Sequence, residues 1–347
     1  MVSYYDKLRC AANQGRTPLI AKLEGIFEAI DDGELLKALN GKVHRGCQGY
    51  SVEALWHSYL AGYVLNIPTV ASLIRRLQSD AALCVVCGLN PAAIPSEATY
   101  SRFVAKLTNR RGLVRRAIRI AVRKLGHHLP DLGKIVAIDS SDITAYSQSR
   151  RPSDPDAHWA KKKNKHGRDH WWFGYKVHLV VDATHELPLH VEVTSANMSD
   201  SQSLIPVLRH AAWTVTPTHV LADAGYDATQ NYAFIRNEMN AVPIIKLNKR
   251  GAKEDDRPRH RSKGQILAYG LRKFSGIDRL SPQWQAWYDM RVSAERVLSR
   301  AKEFRRLASV HHRGLSKVTL HCYLSTLTVV ASAVSAIYSE QPLRKVA

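Results

Sequence analysis

Through the first 130 residues apolar positions recur at helical spacing, in Val52 to Leu65, Val70 to Leu77 and Phe103 to Leu125, while strand-like alternation is largely absent. This predicts an all-helical N-terminal domain, residues 1–130. The texture changes at Lys134, where the apolar run Ile135, Val136, Ala137, Ile138 closes on Asp139 as a buried strand would. Runs at Trp172 to Val181 and Leu187 to Thr194, parted by the turn-prone stretch Asp182 to Glu186, predict an antiparallel pair. A helix follows from Asp200, a candidate N-cap, through Leu204, Val207, Leu208 and Ala211. Then come a strand at His219 to Asp223, a helix at Thr229 to Met239 and a strand at Val242 to Leu247. Three strands, helix, strand, helix, strand make residues 131–347 an α/β (α+β) domain with a mixed sheet flanked by helices. Gln283 to Arg306 reads as one long helix, and no internal repeat interrupts the order.

One segment, Val318 to Tyr338, is apolar enough to imitate a membrane span. Ser325, Thr328, Ser332 and Ser335 recur in it at spacings of three and four, so polar groups share one face and a packed amphipathic helix is expected, with no membrane. The first residues carry charges with no apolar stretch behind them, so no secretory leader is expected. Cys10, Cys47, Cys84, Cys87 and Cys322 are too few and too scattered for a disulfide framework, which fits a reducing, cytoplasmic (nucleoid-associated) setting.

Charge changes the picture. Fifty Lys and Arg against 30 Asp and Glu leave a net +20, and basic side chains placed on phosphates release condensed counterions, so nucleic acid is the natural partner. From Ser101 to Pro130 no acid occurs. There Arg115, Arg119 and Arg123 form one helical stripe and Val114, Ile118, Val122 and Leu125 another. A solvated face is the ordinary meaning of such a run, but the lack of acids makes a phosphate-facing surface at least as good a reading. The stretch 248–264 is crowded with Lys, Arg, His and Asp and reads as a basic loop suited to a phosphate backbone.

Three carboxylates stand where a metal site is buildable: Asp139 ends the first strand, Asp223 the fourth, and Glu295 lies inside the late helix. Where two such strands are neighbours their ends converge, and oxygen donors with open positions suit Mg²⁺ or Mn²⁺. Two such ions, about 3.5 to 4 Å apart, support phosphoryl transfer on a nucleic-acid backbone. In the late helix Tyr288, Arg291, Glu295 and Lys302 sit at offsets of 0, 3, 7 and 14. On a continuous helix these project at roughly 0°, 300°, 340° and 320°, one face, beside an apolar stripe of Ala294, Val297, Leu298, Ala301 and Phe304. A surface helix with ordinary charge pairs is the plainer alternative.

These residues resemble the DDE transposases of bacterial insertion sequences. The spacing Tyr288-x₂-Arg291-x₃-Glu295-x₆-Lys302 is similar to that family's Tyr-Arg-Glu-Lys signature. Ala137 to Ser141, Gly174 to His178, Thr194 to Asp200 and Leu221 to Asp227 agree with its other motifs. Val52 to Leu107, with Pro95 to Thr99 before Arg102 and Phe103, looks like the helical N-terminal domain of many members. The resemblance implies an RNase H-like catalytic domain after a helical DNA-binding one. It implies Asp139, Asp223 and Glu295 as metal-binding catalytic acids, Mg²⁺ (or Mn²⁺) as cofactor, and Arg291 and Lys302 orienting phosphates beside Tyr288. It further implies cleavage and joining of double-stranded DNA at terminal inverted repeats, in a complex of at least a homodimer. Asp142 rivals Asp139 as the first acid; Asp200 and Asp227 read mostly as cap or turn residues; Lys176 and His178 face DNA, the acids or only each other's strand neighbours. Cys84 and Cys87 read as buried thiols rather than a zinc pair. His170, Trp171, Trp172, Trp284 and Trp287 are core aromatics with a lesser chance of stacking on a base, and His311 and His312 contact phosphate or cap a helix. A host nuclease of the same fold, and a catalytically silent DNA-binding protein, are the alternatives in function.

Overall fold

The computed structural model describes residues 17–40, 49–147, 153–163, 167–248 and 277–343. The basic loop, apart from Asn248, and Cys10 and Cys47 lie outside them. The chain forms two compact units, one of Met1–His128, Ala145–Asp154 and Arg300–Ala347, the other of Leu129–Thr144 and Pro155–Ser299. These differ from a single division at residue 130, because the last part of the chain packs with the first.

Among the described residues the first part of the helical unit holds seven helices: α1 (Pro18–Ala29), α2 (Gly33–Asn40), α3 (Val52–Val64), α4 (Val70–Ser79), α5 (Ala81–Val86), α6 (Glu97–Asn109) and α7 (Arg111–His128). Polar residues just before them set their starts: the hydroxyls of Thr17, Ser51, Thr69 and Ser96 accept backbone N–H groups that the first turn leaves unpaired. On α7, Val114, Ile118, Val122 and Leu125 are buried with Ala117 and Ala121, while in the arginine stripe Arg123 is exposed and Arg115 and Arg119 are half-buried. The unit's last helix, Leu315–Tyr338, packs against α7, α1 and α3.

That last helix departs from the expected amphipathic form. Ser325, Thr328 and Ser332 are buried rather than wet. Thr328 donates to the Ser325 carbonyl (2.9 Å) and Ser332 to the Thr328 carbonyl (2.7 Å), so two of the hydroxyls are satisfied by the helix's own backbone. Small side chains also allow close approach: a Cβ on Gly25 would collide with Ser335 Oγ. Among the described residues it is the one helix long and apolar enough to cross a membrane, and it is mostly buried within this unit.

A knot of buried cations holds the same unit together. Arg306 donates to the Pro68 carbonyl (2.9 Å) and lies 4.4 Å from the centroid of Tyr63, while Arg305 donates to the Val64 carbonyl (3.3 Å). His321 Nε2–H donates to the Arg306 carbonyl (2.8 Å), which leaves Nδ1 to accept from the Tyr63 hydroxyl (2.9 Å).

Among the described residues the second unit is built on six strands: β1 (Ile135–Thr144), β2 (His158–Lys163), β3 (Asp169–Asp182), β4 (Leu187–Ser195), β5 (His219–Ala222) and β6 (Val242–Ile245). β3 pairs antiparallel with β1 on one hand and with β4 and β2 as further partners; β1, β5 and β6 run parallel in that order. β2 was not expected. Its sequence, His-Trp-Ala-Lys-Lys-Lys, has no apolar alternation, and its only partner is the first half of β3. Between β4 and β5 runs α8 (Asp200–Ala211), and between β5 and β6 runs α9 (Thr229–Ala233), which loosens into a π-helical turn at Phe234–Glu238 instead of continuing to Met239.

The late helix is two helices, α10 (Pro282–Asp289) and α11 (Val292–Phe304), and not one from Gln283 to Arg306. Tertiary docking makes the break: Trp287 stacks on His219 of β5 (centroids 4.2 Å) and holds α10 on the sheet, while the backbone tightens at Met290 and Arg291; within α10 itself Trp284 stacks on Tyr288 one turn on (5.0 Å). Directions computed for a continuous helix therefore do not carry across Tyr288 and Glu295.

Candidate active site

The parallel pairing of β1 with β5 ends on the rung Ile138 and Ala222, and the next residue on each strand is an acid, Asp139 and Asp223. Two carboxylates are thus delivered side by side by one register. The Ser140 N–H donates to Asp139 (2.8 Å) and the Gly225 N–H to Asp223 (2.8 Å). Burial raises the Asp139 carboxyl to about 7, and the negative charges of Asp223 and Glu295 push the same way against the pull of Arg291. Asp223 is raised too, by burial first and then by Asp200, again opposed by Arg291.

Glu295 comes from the first turn of α11, half exposed, and accepts from Arg291 Nη1 at 2.6 Å. The Arg291 guanidinium also lies 5.4 Å from the centroid of Tyr288, and Lys246 approaches the same ring at 5.8 Å. Arg291 is therefore a cation that all three acids feel. The acids are electrostatic neighbours rather than a closed cage, since among the described residues the only group of three whose ligand atoms lie within 4.8 Å of one another is elsewhere. Lys302 stands in the last turn of α11, counted with the other unit.

Asp200 joins this acid cluster, which its reading as a helix cap missed. It is the first residue of α8 and not the N-cap, which is Ser199 and makes no side-chain cap bond. Its Oδ1 accepts from Ser140 Oγ (3.0 Å) and Lys176 Nζ (3.1 Å). A Cβ on Gly225 would lie 3.0 Å from Asp223 Oδ1 and 3.5 Å from Asp200 Oδ2, so both carboxylates overhang that glycine. The Tyr226 hydroxyl is buried among Asp200, Asp139 and Asp223, whose charges add to burial in raising it well above its ordinary value. The motif Thr194 to Asp200 was the one sequence signal for Asp200.

Other candidates fall outside the cluster. Asp142 pairs with Lys162 and His170, and Asp227 accepts the Asn248 N–H in a turn. His178 is buried against Thr194 (3.0 Å). Trp284 and Trp287 are spent on the internal stacks described above, and Trp172 is buried beneath His170. Trp171 and Trp159 are more than half exposed, with Lys161 5.0 Å over Trp171. Cys84 donates to the Leu77 carbonyl and burial raises it to about 11, with Cys87 buried close by. His312 is held by Tyr59 (3.3 Å) and lowered to about 4 by burial, and His311 stands edge-on to Tyr146. On α7, Arg119 is lowered by burial and then by Arg115, Arg123 and Arg116, which records how closely the arginines crowd.

The transposase DDE domain family matches residues 130–330, more than half of the chain, and a transposase domain family (DUF772) matches residues 12–106. The chain is a DDE transposase of the insertion-sequence type. No curated protein matches it. The mixed sheet of this transposase is its RNase H-like core, its family acts on DNA as nuclease and transferase, and a divalent metal is the family's usual cofactor. The donor set fits such an ion: hard carboxylate oxygens, partly buried and mutually repelling, two of them overhanging Gly225.

Proposed function

We propose that this transposase cuts its element's ends and joins them to target DNA, with Asp139, Asp223 and Glu295 as the catalytic, metal-holding acids. The observation that carries the reading is the adjacency of Asp139 and Asp223 at one rung, facing the Arg291–Glu295 pair. These acids would hold Mg²⁺ (or Mn²⁺), which would favour deprotonation of a bound water or of a DNA 3′-hydroxyl and stabilise the leaving oxygen. Arg291, bound to Glu295 in the protein alone, turns its free guanidinium edge to a DNA phosphate, and Lys302 adds a second cation on the same helix. Tyr288, stacked on Trp284 and under Arg291, fixes the guanidinium's height over the acids. Ser140 and Gly225 hold one oxygen of each strand-end carboxylate, leaving the other for the cation.

The helical unit serves as the DNA-binding domain, with Arg115, Arg119 and Arg123 on terminal-repeat phosphates, and the sheet unit as the catalytic domain. Recombining two ends at once calls for a homodimer. The test is Mg²⁺-dependent cleavage and strand transfer on DNA carrying the element's ends, intact protein against Glu295→Gln. End cleavage and joined products, lost in the variant while DNA binding persists, are expected. Cleavage without joined products would favour a host nuclease, and equal behaviour of the two proteins would remove Glu295 from the site.

A further inference from the structure

At the other end of α8 from Asp200 lies a second group of ligating side chains. His190 and Glu192, two apart on edge strand β4, share a face, and His210 comes from the last turn of α8. Glu192 Oε1 accepts from His190 Nε2–H at 3.1 Å and from His210 Nδ1–H at 2.9 Å, and the three ligand atoms lie within 4.8 Å of one another. His190 is 4% exposed, Glu192 20% and His210 35%, so the group is walled on the sheet side and open on the other.

The geometry points to a transition-metal site here, formed by His190, Glu192 and His210, for an ion of the Zn²⁺ class. Atoms at these separations lie on a circle of radius at most about 2.5 Å, against metal–ligand bonds of about 2.0 to 2.2 Å for imidazole and carboxylate. Shifts of a few tenths of an ångström close the gap. The ion takes the position of the two N–H protons that now point at Oε1, both histidines binding as neutral imidazoles, and water completes the coordination from the open side. Two imidazoles with one carboxylate suit Zn²⁺ in preference to Mg²⁺, which wants oxygen donors. The His190 and His210 rings already stand 5.9 Å apart, with Trp213 edge-on to His210 at 5.0 Å limiting its swing.

The ion has a structural purpose. It clamps the C-terminal end of α8 to β4, while the N-terminal end, ten residues and about 15 Å away along the axis, carries Asp200 to Ser140 and Lys176. The site is thus separate from the Asp139 cluster and does not depend on the transposition reading.

The test uses the full chain, stripped with chelator and titrated with Zn²⁺ or Co²⁺, with Mg²⁺ as the control. Expected are one zinc retained per chain after gel filtration, a thermal midpoint raised by a few degrees, and Co²⁺ bands without thiolate charge transfer, which separates this site from the cysteines. His210→Ala and, independently, Glu192→Gln should weaken retention about a hundredfold or more with circular dichroism unchanged, while Asp139→Asn keeps it. No zinc retained at micromolar concentration, thiolate bands with Co²⁺, or equal retention in His210→Ala would overturn the assignment.

Discussion

Each unit of the protein buries charge, and the two do it in opposite ways. In the helical unit Arg305 and Arg306 are taken out of water, but backbone carbonyls and an aromatic face meet them, and His321 beside them stays neutral between a carbonyl and a tyrosine hydroxyl. In the sheet unit Asp139, Asp223 and Asp200 are drawn together with like charge facing like, and Arg291 and Lys176 are the cations beside them. A buried charge that the fold satisfies itself is a fastening; a buried cluster that it leaves repelling is a place kept for something brought from outside.

The largest effect that sharpens this contrast is Asp139→Asn. Cleavage with Mg²⁺ should fall at least about a thousandfold, equivalent to about 4 kcal/mol of lost transition-state stabilisation. Metal-free stability should change its pH dependence as well. With a folded value of about 7 against the ordinary 3.8, the native state keeps a proton that the unfolded chain has released. Stability therefore declines as pH rises from about 4 to about 7 and levels off above that. Chemical denaturation across that range should show the decline, and the variant should show a flatter curve.

Next, Arg306→Ala in the helical unit should cost about 2 to 4 kcal/mol, by stripping the Pro68 carbonyl of its donor and Tyr63 of its cation. It should leave a steep single unfolding transition displaced to lower temperature. Gly25→Ala should cost about 1 to 3 kcal/mol by pressing a methyl on Ser335 Oγ. Adding Ser335→Ala should restore most of it in the same melt. The smallest effect belongs to Asp142→Asn: its partner Lys162 is half exposed, so stability should shift by less than about 1 kcal/mol. Cleavage should stay within a few-fold of the intact protein, and a loss like that of Asp139→Asn would reverse the choice between the two acids.

What the sequence made legible follows from where local pattern and burial agree. Within the run Ile135 to Ile138, Val136, Ala137 and Ile138 are buried on both faces of the strand, so the apolar block showed both the strand and the acid closing it. β2 was hidden because a lysine-rich strand has no pattern of its own and exists only through its register with β3. The interruption between α10 and α11 was hidden for the converse reason: periodicity runs straight through it, and the stack of Trp287 on His219 that holds α10 to the sheet joins positions far apart in the chain that no spacing records. Asp200 looked like a cap because caps favour aspartate before a helix, and only the fold turns its side chain back toward Ser140 and Lys176.

The rung that joins Ile138 to Ala222 has a consequence for how such a protein can change. The stretch of chain between Asp139 and Asp223 crosses strands, turns and a helix, and none of its length determines how far apart the two acids stand. Exposed turns there can lengthen, shorten or accept a foreign insert with the chemistry intact, whereas removing a single residue from His219–Ala222 would slide one acid off its neighbour while every functional group remained in the chain. Alterations in the gene that preserve all the acids can thus be as silencing as those that delete one.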